Sequence, residues 1–310
     1  MESTILANLP NFPAFTWSQE SLYPVLMGLR LKQGKLLGRM ESLLPEFKIQ
    51  ANNTILHWEL ESIRQRIGVS GDALYQDLIQ NNQKPLSKER LETWLGMGST
   101  DFNTGNSSLS NAVIGDKEVQ LNQFLVWFNK PGLDRLLKAA IAHLWFVAIA
   151  PFEKQNEIVA TGISTIQLIK ADETVYRYYS FGKQIIEEQD QYSFILSQSL
   201  NGSLDITIWL QWFLGCIHRA YDASENLLSM TLIKAKFWSE QHNANFNKRQ
   251  RIIINKLLDG YDEKLTTSLY ASLTQCARDT ALRDLTALIQ MGVMQKAGGL
   301  GKNTLYILSL

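Results

Sequence analysis

Between Ala139 and Ile149 the chain reads AAIAHLWFVAI, which is apolar on every face if wound as a helix. A surface helix carries one apolar stripe, whereas one that is apolar all round has to be enclosed by other elements. This stretch therefore predicts a central helix with further helices packed around it. Even extended to Phe152 the run is too short to span a bilayer, which takes about 20 apolar residues. His143 lies within it, and a lone histidine among Ala, Leu, Trp and Phe is read as a hydrogen-bonded core residue rather than a ligand or a base.

The surrounding text has the same helical period. SQESLYPVLMGLRLKQGKLLGRMESLL places Leu22, Val25, Leu26, Leu29, Gln33 and Leu36 on one face, with Ser18 or Ser21 as the cap. ILHWELESIRQRIGV and GDALYQDLIQNN follow, and PLSKERLETWLGM opens with proline and serine in helix-starting positions. From Gly96 to Gly115, thirteen of twenty residues are Gly, Ser, Thr or Asn, so this segment is expected to be a loop. Helical text resumes at EVQLNQFLVWFNK, breaks at Pro131-Gly132, and continues through RYYSFGKQIIEEQDQYSFILSQSL and a long aromatic-striped run ending at KAKFW.

No alternating strand pattern appears before residue 260. The last segment differs: a helix in NKRQRIIINKLLDG, a short extended EKLTT, a helix in SLYASLTQ, another in RDTALRDLTALIQMG, then two alternating strands about a glycine-rich turn. That is the order of a winged helix-turn-helix. Its second helix is expected to bury Leu282, Leu285, Leu288 and Ile289 and to expose Arg278, Thr280, Ala281 and Arg283 at its start. The wing is expected to offer Lys296, Lys302, Asn303 and Thr304 to phosphates or the minor groove. Asp279 and Asp284 dilute the positive charge of that helix.

Charge agrees with this division. Overall there are 30 basic and 30 acidic residues, yet residues 241–310 hold nine basic against five acidic. The two cysteines, Cys216 and Cys276, lack CxxC spacing, and the four histidines fall into no pattern that sets two ligands on one face. No disulfide framework and no metal site is expected. The N-terminus lacks the features of a secretory signal and no lipidation box is visible at the other end, so the expected location is the cytoplasm, away from membranes.

In order along nearly the whole chain, the sequence resembles bacterial Fic-domain proteins with a helical N-terminal extension and a C-terminal winged helix. TWSQESLYPVLMGLRLKQGKLLGRM resembles the extension, KAAIAHLWFVAIAPF the helix entering the active loop, DITIWLQWFLGCI the closing helices, and LTTSLYASLTQCARDTALRDLTALIQMGVM the winged helix. The resemblance implies a mainly α fold: a Fic-type helical bundle core, a helical N-terminal extension over 1–95, the Fic domain over 96–240, and a small α+β winged helix over 241–310.

Active members of that family transfer AMP from ATP, with Mg, to a protein hydroxyl through a loop of the form HPFx(D/E)GNGRxxR. Here Pro151, Phe152 and Asn156 match, whereas Ala150 stands for the general base and Lys154 for the metal-binding acid. Gln155 and Glu157 replace the two phosphate-cradling glycines, and Ile158 and Thr161 replace the two arginines. Glu153, one residue from the usual acid, would need a rebuilt loop to act in its place, since adjacent helical residues point about 100° apart.

The family's inhibitory pattern is also missing, with Trp58 where its glutamate would fall four residues after Thr54. The loop over 96–115 stands where the flap that docks the target would be. The expectation is a catalytically idle Fic-type protein without a cofactor, which binds duplex DNA through its winged helix and pairs with another protein or a second copy. The alternatives are an interaction scaffold that does not bind DNA, and residual AMP transfer from ATP depending on Glu153.

Overall fold

The computed structural model describes residues 6–67, 71–96, 111–241, 244–261, 264–298 and 304–309. Two compact units emerge, one of residues 1–42 and 48–226 and the other of 43–47 and 227–310.

The first unit is helical throughout its described residues. After a single 3-10 turn, α1 (Gln19–Glu41) starts at Ser18, whose hydroxyl caps Ser21 N–H, and buries Leu22, Leu29, Gln33, Leu36 and Met40. Val25 and Leu26, expected on that face, are half-buried at its margin. Next come α2 (Pro45–Ile67), α3 (Asp72–Gln80) and α4 (Lys88–Trp94), the last capped by Ser87. Helix α5 (Asn111–Asn129) begins inside the segment expected to be a loop. Its first turn, Asn111-Ala112-Val113-Ile114, is already mostly apolar, and the apolar text from Val119 onward propagates the helix. The rest of that expected loop, 97–110, lies outside the described residues.

Helix α6 (Arg135–Ile149) is the predicted central helix, capped by Asp134 and buried at nearly every position from Lys138 to Ile149. It packs most extensively against α7 (Asn156–Asp172), which is buried almost continuously from Ile158 to Ile169. Gly162 of α7 permits this density: a Cβ there would lie 2.7 Å from Leu74 of α3 and 3.1 Å from Trp94 of α4. Helix α8 (Phe181–Glu187) starts only after Arg177–Ser180, a stretch expected to be helical, because the Ser180 side chain caps it at that point. Then follow α9 (Gln189–Leu200) and the long α10 (Thr207–Glu240). Trp209 of α10 ties to the centre by donating to the Ala140 carbonyl at 2.8 Å. No helix among the described residues is long and apolar enough to cross a membrane.

The second unit holds the end of α10, α11 (Lys248–Leu258), α12 (Thr267–Thr274), α13 (Arg278–Gln290), and the antiparallel strands β1 (Met294–Gly298) and β2 (Leu305–Leu308). Asn247 and Gln250 form a reciprocal cap at the start of α11. Leu265, in the expected extended piece, bridges Tyr306 of β2. The strands pair Met294 with Leu308 and Lys296 with Tyr306, with a bulge before Gly298, whose φ of 151° suits only glycine. Phe237, Ile253, Ile254, Tyr270, Leu285 and Leu288 meet in a core of their own.

Candidate functional site

The loop joining α6 to α7 is held by its ends. Ala150 and Gln155 both adopt the left-handed conformation, at φ 45° and 67°. That costs a residue with a Cβ about 1–2 kcal/mol, so the surrounding packing imposes the turn. Asn156 brackets it, donating to the Phe152 carbonyl at 2.7 Å while accepting from Phe152 N–H at 3.0 Å. The Phe152 ring is buried and meets Phe146 at 6.1 Å between centroids. Pro151 is half-buried, and Glu153, Lys154 and Gln155 are exposed.

Two cations from distant helices meet this loop, and no sequence spacing announced them. Lys117 of α5 donates to the Ala150 carbonyl at 3.0 Å. Arg66, near the end of α2, donates to the Thr161 hydroxyl at 3.1 Å and lies 3.9 Å from the Glu157 carboxylate. Glu157 is thus countered by a guanidinium rather than presented alone, and the Thr161 hydroxyl in turn donates to the Glu157 carbonyl at 2.8 Å. Ile158 is buried. Among the described residues no three His, Cys, Asp or Glu side chains are grouped to hold a metal.

Beneath the loop, His143 is fully buried, as the sequence led us to expect. One ring nitrogen lies 2.9 Å from the Tyr192 hydroxyl and the other 3.2 Å from the Ser164 hydroxyl. Burial, with a smaller contribution from the Arg66 charge, pushes its pKa down to about 3, so the ring is neutral at physiological pH.

On the second unit, Arg278 and Arg283 of α13 are exposed and Thr280 is half-exposed, while Lys296 is exposed on β1. Four expectations, for Leu282, Ala281, Asp284 and Thr304, need correction. Leu282 is 48% exposed, and Ala281 and Asp284 take the inward positions beside Leu285 and Leu288. Asp284 therefore does not dilute the outer charge of α13. It accepts from Arg249 at 2.7 Å, Asn247 at 2.8 Å and Tyr270 at 3.1 Å. Thr304 is buried where the chain enters β2, so it presents nothing at the surface. Lys302 and Asn303 lie outside the described residues.

A family described as a domain of unknown function (DUF4172) matches residues 7–65. No curated protein matches. Among solved structures the chain is similar to a Fic family protein from Desulfovibrio desulfuricans G20, with 13% identity and a TM-score of 0.49 over 92% of this chain and 96% of that one. It is also similar to a Fic domain containing signaling protein from Bacteroides thetaiotaomicron VPI-5482, with 17% identity and a TM-score of 0.47 over 68% of this chain and 97% of that one.

Proposed function

We propose that this is a catalytically idle Fic-type protein that regulates through DNA, with residues 1–95 as the extension, 96–240 as the Fic-type domain and 241–310 as a winged helix. The idle loop is argued residue by residue. Ala150 has no proton to exchange, Lys154 puts a cation where a metal would need an acid, and Glu157 sets a carboxylate at the phosphate cradle. Losing a general base alone costs about 10²–10⁴ in rate. No ATP or Mg dependence is proposed.

The observation that carries the DNA reading is the outer face of α13. Arg278 and Arg283 stand exposed near its start with Lys296 on β1, and Asp284 is turned into the core. Lys302 and Asn303, which lie outside the described residues, complete the proposed contact set. A second reading, protein docking through the same face, is favoured by one observation: the exposed Leu282 between the two arginines, since an apolar side chain gains nothing against phosphates.

Titration of the full-length protein against mixed genomic duplex at two salt concentrations separates the two. DNA binding predicts affinity that falls with salt, and a log–log salt slope reduced by about 2 in the Arg278→Ala/Arg283→Ala double variant. Duplex binding that is absent, or indifferent to both arginines, would transfer the function to protein docking.

A further inference from the structure

At the far end of α6 and α7 from the loop that joins them, the first unit holds a cavity of about 320 Å3. Lys130 enters its wall from the chain just after α5, Arg135 and Lys138 from α6, and Lys170 from α7, with Gln83 and Pro85 of the α3–α4 link on the remaining side. Among the described residues that line it there is no Asp or Glu. Lys138 is twelve residues along α6 from Ala150, about 18 Å at the helical rise, so the cavity is separate from the loop.

The cations stand at different depths. Lys130 and Arg135 are exposed and Lys170 is half-buried, which leaves all three within reach of a ligand. Lys138 lies beneath them, 5% exposed, its amine donating to the Lys130 carbonyl and standing 5.1 Å from the Trp127 ring centre, so it adds charge without a direct contact. The nearby acids are engaged elsewhere: Asp134 caps α6 and pairs with Arg30 at 2.6 Å, and Asp77 pairs with Arg90 at 2.7 Å. Among the described residues none of the four cations in the wall forms an ion pair with a carboxylate. Burial first, and then the Arg135 charge, hold the Lys138 and Lys170 amines below the usual lysine range. Like charges gathered without a counter-charge repel one another, and a bound anion removes that cost.

We propose that this cavity binds a small, multiply charged phosphoryl anion of about the size of pyrophosphate, held directly by Arg135, Lys170 and Lys130 and from beneath by the charge of Lys138. At about 30 Å3 per water-sized unit, the volume holds roughly ten non-hydrogen atoms. A guanidinium fork matches phosphoryl oxygens in pairs, and lysines neutralise the same group as point charges. The cations converge on one concavity from three separate parts of the chain, whereas a nucleic-acid backbone is tracked by a charged groove that continues along the surface. The proposal is independent of DNA binding by α13.

Calorimetric titration of the full-length protein in magnesium-free buffer with pyrophosphate, orthophosphate and citrate tests it. Pyrophosphate is expected to bind saturably at a single site per chain. Orthophosphate, with fewer charges, and citrate, whose carboxylates lack the phosphoryl geometry, are each expected to bind at least about tenfold more weakly. Arg135→Gln/Lys170→Gln, which breaks no ion pair, is expected to weaken pyrophosphate binding at least about tenfold with the helical circular dichroism unchanged. Should that variant fold poorly, Lys130→Gln, at an exposed position beyond the end of α5, carries the decision through a smaller loss of affinity. Arg278→Ala/Arg283→Ala is expected to leave binding intact, which separates this cavity from the α13 face. No saturable heat with pyrophosphate, citrate binding as tightly, or unchanged affinity in both Arg135→Gln/Lys170→Gln and Lys130→Gln would overturn the proposal. Displacement of pyrophosphate by duplex DNA would also overturn it and assign these cations to a nucleic-acid backbone.

Discussion

Gln155 stands where the resembled loop has a glycine, yet its backbone keeps the left-handed turn that glycine accommodates without strain. The turn forms without a glycine because the packing of Phe152 and the hydrogen bonds of Asn156 set its geometry. Gln155→Gly should therefore raise stability by about 1 kcal/mol, read as a higher urea midpoint with an unchanged slope. Asp172 makes a second prediction. Burial raises its pKa to about 6, against opposing effects from Arg177, Gln33 and Tyr179. A carboxyl raised in the folded state stabilises below its unfolded value of 3.8 and loses that contribution as pH rises through about 6. Asp172→Asn, which keeps the shape without the charge, should therefore be more stable relative to wild type at pH 8 than at pH 4, measured by urea denaturation at both.

The second unit depends on how α13 is fastened to α11 and α12. Burial raises the pKa of Asp284, but the hydrogen bonds from Arg249, Asn247 and Tyr270 outweigh it and hold it below the ordinary range. Such a depressed carboxyl stabilises above its unfolded pKa, and that contribution is lost as pH falls through the folded value. Asp284→Ala strands three donors at once and should cost about 2–4 kcal/mol at neutral pH, with the deficit shrinking in acid. Hydrogen exchange of the α11 and α13 amides would measure it. A loss below about 0.5 kcal/mol would mean that these bonds do little to hold the helix.

Across the whole molecule, the large aromatic core of residues 48–226 and the smaller one around Tyr270 and Leu285 are distinct sets of side chains, although α10 contributes to both units. Separate cores predict two calorimetric transitions in the wild-type protein. Asp284→Ala should lower one of them and leave the other within about 2 °C. A single transition that shifts as a whole would show the chain to be one cooperative unit.

Most of this helical architecture was legible in local text. Spacing near 3.6 residues marked the helices, Pro131-Gly132 and the capping serines marked breaks and starts, and the all-apolar run at Ala139–Ile149 located the centre and the fate of His143. The residue types at Ala150, Lys154, Gln155 and Glu157, on which the proposal of an idle loop rests, were equally plain, because they are single-residue facts. What spacing left open was decided by neighbours distant in sequence. Arg66 meets Thr161 across 95 residues and Arg249 meets Asp284 across 35, and no local period encodes either pairing. The outward turn of Leu282 has the same origin. Periodicity sets residues about 100° apart around a helix, but which of those directions faces the core is set by the elements that pack against it.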